Sequence, residues 1–453
     1  MPGVIPDWMS PASKSLIQKI NSDYVKFNEN DVQKEIEKLV DESYYINDQQ
    51  CINVNPATNV LNPRAEKLLS KGMSSRPSLG HPGDKYETGL EAIEQIEIIT
   101  TALTCEVFES EFAEFRVASG SLANLYAFMS TCQPHDVIIA PPSTIGGHIT
   151  HHLQGAAGLY KLKTIPAPVN ADGYTVDIEK LKQLALEVKP KLITIGGSLN
   201  LFFHPIKEIK EIANLVGAKV LFDAAHLCGM IAGKVWPQPL KEGADLMTFS
   251  TYKSLGGPAG GLIVTNNKEI AQKLDEIAYP GLTANFDAAK TAALAITLQD
   301  WKSVGKNYAQ KMASCAKELA QNLDQLGIEL FAKNQGFTKS HQFAVLANKF
   351  GGGQTAAKKL RKANILACGI GLPGQMLSHD LNGLRIGTPE LVRIGMKEKD
   401  MSQIADFIYR ALTLDDLEKT AKEVTEFRSQ FKGVYYTLDR KSTRLNSSHI
   451  TIS

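Results

Sequence analysis

Apolar positions along this chain first fall at helical spacing, then switch to short strand-like runs separated by helices. Lys14 to Lys19 and Asp31 to Leu39 carry helical patterning with little around them, so residues 1–45 read as an arm or opening helices. From Glu91 to Phe108 a longer helix is predicted, with Ala92, Ile93, Ile96, Ile98 and Ile99 marking its apolar side. Beyond it the period alternates. Glu114 to Val117, Val137 to Ala140, Leu192 to Ile195, Lys219 to Phe222, Asp245 to Phe249 and Leu262 to Val264 read as strands. Leu122 to Thr131, Asp177 to Val188 and Ile206 to Leu215 read as the helices between them. That rhythm predicts an α/β fold, a mostly parallel sheet with helices on both faces, over residues 46–300. A helix over Tyr308 to Leu326 then leads into a smaller α+β domain, residues 301–438, with a strand near Gln342 to Val345.

Composition narrows the class without naming a reaction. At 453 residues the chain exceeds one typical core. Its 43% hydrophobic and 21% charged residues are those of an ordinary globular protein. A net charge of +1 gives no electrostatic case for nucleic acid or a membrane surface. Six scattered cysteines without a C-x-x-C pair match a reducing compartment rather than a disulfide framework or zinc site. No signal peptide or membrane span is read, so a cytoplasmic protein is expected. Residues 439–453 resemble a sequencing adapter translated in one frame; they are set aside, and the native C-terminus is expected to be lost near Leu438.

Candidate chemistry sits at the ends of the predicted strands, where an open parallel sheet binds ligands. Asp223 closes one apolar run in Phe222-Asp223-Ala224-Ala225-His226, and Lys253 follows another in Ser250-Thr251-Tyr252-Lys253. An acid and an amine delivered to one crevice suit pyridoxal phosphate. The amine can hold the aldehyde as a Schiff base, and the acid can keep the pyridine nitrogen protonated. Ser119-Gly120-Ser121 opens a predicted helix, whose free N–H groups suit a phosphate, and Ser250 and Thr251 could complete the cradle. His148, after Gly146-Gly147, is a candidate to stack on the ring, with a satisfied structural histidine as the alternative; no metal is assigned to the H-x-x-H-H run. Arg385 lies on a short apolar run after a glycine, where its fork would hold a substrate carboxylate or a domain-interface ion pair.

Together these motifs, with Pro82-Gly83-Asp84-Lys85-Tyr86 and Leu384-Arg385-Ile386-Gly387-Thr388-Pro389, resemble the serine hydroxymethyltransferase family from about Gln49 to Leu412. The resemblance implies an aspartate-aminotransferase-like fold (type I of the pyridoxal-phosphate enzymes), with a seven-stranded sheet in the large domain. It makes Lys253 the Schiff-base lysine, Asp223 the pyridinium partner, His226 a neighbour of the phenolic oxygen and His148 the stacking ring. Ser119, Gly120 and Ser121 would hold the phosphate, and Arg385 the amino-acid carboxylate. A homodimer or tetramer acting on a small amino acid is implied as well. The departures concern the one-carbon step. Leu79 stands where the family has its glutamate, Tyr252 where a histidine precedes the lysine, and Ala259 where an arginine is usual. Tyr279 to Asn285 and Gly369 to Pro373 replace a glycine-rich stretch and a folate-contact loop. The expected activity is hydroxymethyltransferase-like, making or breaking the Cα–Cβ bond of serine or α-methylserine. The alternatives are a folate-independent aldolase or transaldolase and, further off, an aminotransferase. Tetrahydrofolate as a second cofactor stays open, with the departures speaking against it. With the glutamate absent, Glu87, His81 and His148 are the candidates for the proton-moving group.

Overall fold

The computed structural model describes residues 5–414 and 416–438; the adapter-like segment 439–453 lies outside them. Seven strands form the central sheet, in the spatial order Phe112–Val117, Gly261–Thr265, Leu246–Ser250, Lys219–Asp223, Leu192–Gly196, Val137–Ala140, Lys163–Pro166. Only Gly261–Thr265 runs against the rest, pairing antiparallel with both of its neighbours. The inner strands Leu192–Gly196, Lys219–Asp223 and Leu246–Ser250 are buried at nearly every position, as their unbroken apolar runs require when helices cover both faces. The edge strand Lys163–Pro166 was not foreseen; it is only half-buried and carries no such run.

Amphipathic helices Ile178–Val188 and Ile206–Val216 pack beside one another, their buried stripes including Leu181 and Ala185 on one and Ile206, Ile209, Ile212 and Ala213 on the other. Gly217 ends the second helix at φ +71°, a left-handed C-cap that glycine adopts without strain. The helix expected over Tyr308 to Leu326 begins much earlier, at Ala288, and runs unbroken to Gln325, through the boundary expected at residue 300. Its N-terminal half, rich in Ala and Thr, is buried on several sides and so shows no polar stripe.

After this helix come three antiparallel strands in the order Gln342–Leu346, Gly383–Gly387, Cys368–Ile370. One side carries Phe343, Val345, Leu384 and Ile386 into the main hydrophobic core, which also holds Phe222, Phe249 and Trp301. The other side faces the carboxyl ends of the central strands. Ile52–Asn53 pairs parallel with Ile365–Leu366, tying the N-terminal region to this smaller sheet. Among the described residues, no helix is long and apolar enough to cross a membrane.

Candidate active site

Strand register sets the site. Asp223 is the last residue of its strand, level with Gly196 on one side and Thr248 on the other, and Ser250 ends the neighbouring strand. The Asp223 side chain is buried and fully engaged. Its Oδ2 accepts from Asn124 Nδ2 (3.0 Å) and from His151 Nε2 (2.9 Å), and its Oδ1 accepts from the Ala225 N–H (3.0 Å). A carboxylate only accepts, so this arrangement fixes the Asn124 amide and places the proton of His151 on Nε2. Asn124 Oδ1 in turn accepts from the Thr248 hydroxyl (2.7 Å). Burial alone would raise the Asp223 carboxyl. The hydrogen bond and charge of His151, supported by His148 and Asn124, instead hold it well below the ordinary carboxylate range. The result is a permanent negative charge at the foot of the crevice.

His148 joins this network through Thr150, its Nδ1 accepting from the Thr150 hydroxyl (2.7 Å) and N–H (3.3 Å). Thr150 accepts from the same Asn124 amide (2.8 Å), so His148 is tied to Asp223 through two side chains. Burial lowers His148 to about 4, Lys253 and Arg385 adding to the effect against Asp223, so the ring is neutral at ordinary pH. That suits stacking on an aromatic group.

Lys253 is 6% exposed, and its Nζ lies 3.3 Å from His226 Nε2. Arg385 Nη1 donates to the same His226 Nε2 (3.1 Å) and to the Ser198 carbonyl (2.5 Å). Two cations facing one ring nitrogen require that it carry a lone pair. Burial first, then Lys253 and Arg385, accordingly push His226 well below its usual value. Burial likewise lowers Lys253 to about 8, Asp223 opposing and Arg385 assisting. Relative to an ordinary lysine this raises the neutral, nucleophilic fraction near pH 7 by roughly 10²-fold. Arg385 forms no ion pair among the described residues, and its buried Nε has no partner. Its Nη2 meets Cys368 Sγ (3.2 Å). A buried guanidinium with no carboxylate partner among the described residues has the planar donor geometry that suits a carboxylate.

Ser119 caps the helix Gly120–Thr131 with its side chain on the Leu122 N–H (3.2 Å). Gly120 lies directly against Ser250, so that a Cβ there would overlap the serine hydroxyl. Glycine at 120 thus lets the helix N-terminus and the Ser250 hydroxyl come together, an arrangement that suits a phosphate. Ser121 follows on the first turn and is exposed.

The sequence expectation therefore finds Asp223, Lys253, His226, His148, Arg385, Ser119, Gly120 and Ser250 at one end of the sheet. His81 and Glu87 have other partners within the chain. His81 Nε2 pairs with Asp275 (3.0 Å), and Glu87 accepts from the Leu79 N–H (3.1 Å). His151 was passed over in favour of His148. Both lie in the same run three residues apart, and the short 3-10 turn Ile149–His151 decides which ring reaches Asp223.

The serine hydroxymethyltransferase family matches residues 29–408. An alpha-methylserine aldolase of Variovorax paradoxus is 59% identical over 429 residues, 95% of this chain and 97% of its own length. A second alpha-methylserine aldolase, from a Ralstonia species, is 52% identical over 430 residues, 95% and 98% of the two chains. A serine hydroxymethyltransferase of Staphylothermus marinus is 36% identical over 407 residues, 89% and 92%.

Proposed function

We propose that this chain, which belongs to the serine hydroxymethyltransferase family, is an aldolase that splits α-methylserine into alanine and formaldehyde without folate. Family membership makes it a pyridoxal-phosphate enzyme of fold type I that works on the Cα–Cβ bond of small β-hydroxy amino acids. The observation that carries the narrower reading is a contrast within the site. Groups suited to the cofactor and to a carboxylate converge, whereas the position of the family's glutamate is the apolar Leu79, whose N–H is tied to Glu87. The relatives at 52–59% identity, named for aldolase activity on α-methylserine, support it further.

The residues fit the cofactor. Ser119, Gly120, Ser121 and Ser250 would hold its phosphate, Asp223 its ring nitrogen, His148 one ring face and Lys253 its aldehyde carbon. When bound, the cofactor supplies a cationic ring that accepts the electron pair left on Cα as Cβ departs. Asp223 keeps that ring nitrogen protonated because His151 and Asn124 hold its own charge in place. Arg385 takes the substrate carboxylate and so fixes rotation about Cα, which decides the bond that breaks. His226 Nε2, held neutral between Lys253 Nζ and Arg385 Nη1, accepts from both and so orients the lysine amine and the guanidinium toward the crevice. For cleavage the β-hydroxyl loses its proton as formaldehyde forms, and Cα is reprotonated to give alanine.

The assay that tests this reading follows formaldehyde from purified holoenzyme given α-methylserine, with and without tetrahydrofolate. Equal rates in both are expected; strict dependence on folate would restore hydroxymethyl transfer as the activity.

The oligomer is part of the proposal. Helices Pro11–Tyr24 and Glu29–Tyr44 bury no residue, although Leu16, Ile20, Tyr24, Ile36, Leu39 and Val40 are apolar or aromatic and exposed. A second copy of the chain is the natural cover for that surface. Light scattering of the holoenzyme should give at least a dimer, and a monomer mass would overturn this assignment.

A further inference from the structure

Strand Gln342–Leu346 pairs antiparallel with Gly383–Gly387, Ala344 opposite Arg385 and Gln342 opposite Gly387. Residues directly opposed in a sheet project to one face, and alternate residues share it. Gln342, Ala344 and Arg385 are therefore on the same face. Arg385 identifies it as the face turned to the site, through its bonds to Ser198 and His226. Ala344 packs there against Leu199 and Leu201, on the segment that follows Ser198. Gln342, two residue pairs along the ladder from Arg385, is completely buried. Neither its Nε2 nor its Oε1 has a hydrogen-bond partner. A buried amide unpaired at both ends is rare in a folded protein, because each lost bond to water goes uncompensated.

Resting on the aldolase reading above, we propose that Gln342 is the residue that reads the β-hydroxyl of the amino-acid substrate. The amide offers donors and an acceptor together. In a 2-amino-3-hydroxy acid the carboxylate only accepts and is claimed by Arg385, and the amino group is claimed at the Lys253 position. The hydroxyl alone both donates and accepts, so it alone satisfies Nε2 and Oε1 at once. Leu79 brings no polar atom for this task. An amide has no useful basicity, so Gln342 selects and positions the hydroxyl of the bound substrate; as Cα–Cβ breaks, the hydroxyl proton turns from Oε1 to a base, and Nε2 keeps its hydrogen bond to the oxygen.

Alanine, which lacks the hydroxymethyl group, separates this role from a general one. In Gln342→Leu holoenzyme, KM for formaldehyde release from α-methylserine should rise about tenfold or more, as expected when the hydrogen bonds to both ends of the amide are lost. The dissociation constant of alanine, read from the change in cofactor absorbance, should stay within about twofold. Cofactor content and thermal midpoint should hold, since the apolar side chain removes two orphaned atoms. Should leucine cost the cofactor, Gln342→Met repeats the comparison with an unbranched chain. Equal weakening of both ligands would assign Gln342 to the carboxylate or to packing and overturn the proposal. No change in either would overturn it too, leaving the amide to ordered water. If the wild type releases no formaldehyde from α-methylserine, the aldolase reading fails by itself, and serine against alanine in the same titration still tests Gln342.

Discussion

Lys253→Ala should remove the visible absorbance band of the lysine-bound cofactor and lower formaldehyde release by at least about 10³-fold. The structure supplies the reason in two parts. Lys253 is buried beside His226 and Arg385, and its amine is shifted down to about 8, so near neutral pH it carries a usable neutral fraction. No other lysine faces His226 Nε2 among the hydrogen bonds of the described residues. Alanine in its place leaves His226 with one cation fewer and the aldehyde with no amine to hold it. An absorption spectrum of the purified variant decides the matter: a band of wild-type position and intensity would put the cofactor on another lysine.

Arg385→Ala should leave that band intact and raise KM for the amino acid by about 10- to 10²-fold. A charge-assisted contact to a carboxylate contributes about 1.5–3 kcal/mol, and every 1.4 kcal/mol is tenfold. Arg385→Lys should recover little, because an ammonium cannot reproduce a planar fork that also spans Ser198 and His226. Spectral titration with alanine and a full rate curve give both numbers. Loss of the cofactor, with amino-acid affinity unchanged in what remains, would mean that Arg385 holds the domains together rather than the substrate.

The parts of the site that could be read from sequence are those where chemistry follows an apolar run. Asp223 and Lys253 each sit at or just past a strand whose residues are all inward, so both the strand and the place of its end were visible. Ser119-Gly120-Ser121 was visible for a similar reason, as small residues opening a helix. Arg385 needed only a short apolar strand around it. What could not be read depends on backbone path or on tertiary partners. His148 and His151 are equivalent in a string of letters, and only the turn between them sends one ring to Asp223 and leaves the other on Thr150. Asn124 lies in the predicted helix Leu122 to Thr131, and nothing in the letters marks it as the amide joining Asp223, Thr150 and Thr248. Gln342 is one polar letter before an apolar run, and its lack of partners exists only once the sheet faces Ser198. Likewise, Ala288 to Gly305 hid its helix because burial on several sides erases the polar stripe that periodicity needs.

The contact between Gly120 and Ser250 bears on the order of events during biosynthesis. The two residues come from distant parts of the chain, near the ends of two strands that the reversed strand Gly261–Thr265 separates and pairs with on either side. A ribosome-bound fragment ending before that strand would own Lys253 and Asp223 yet have no finished pocket for a phosphate. Vitamin capture would then be a late event that reports a completed sheet, and thermal unfolding of the loaded enzyme would lose colour and sheet structure together.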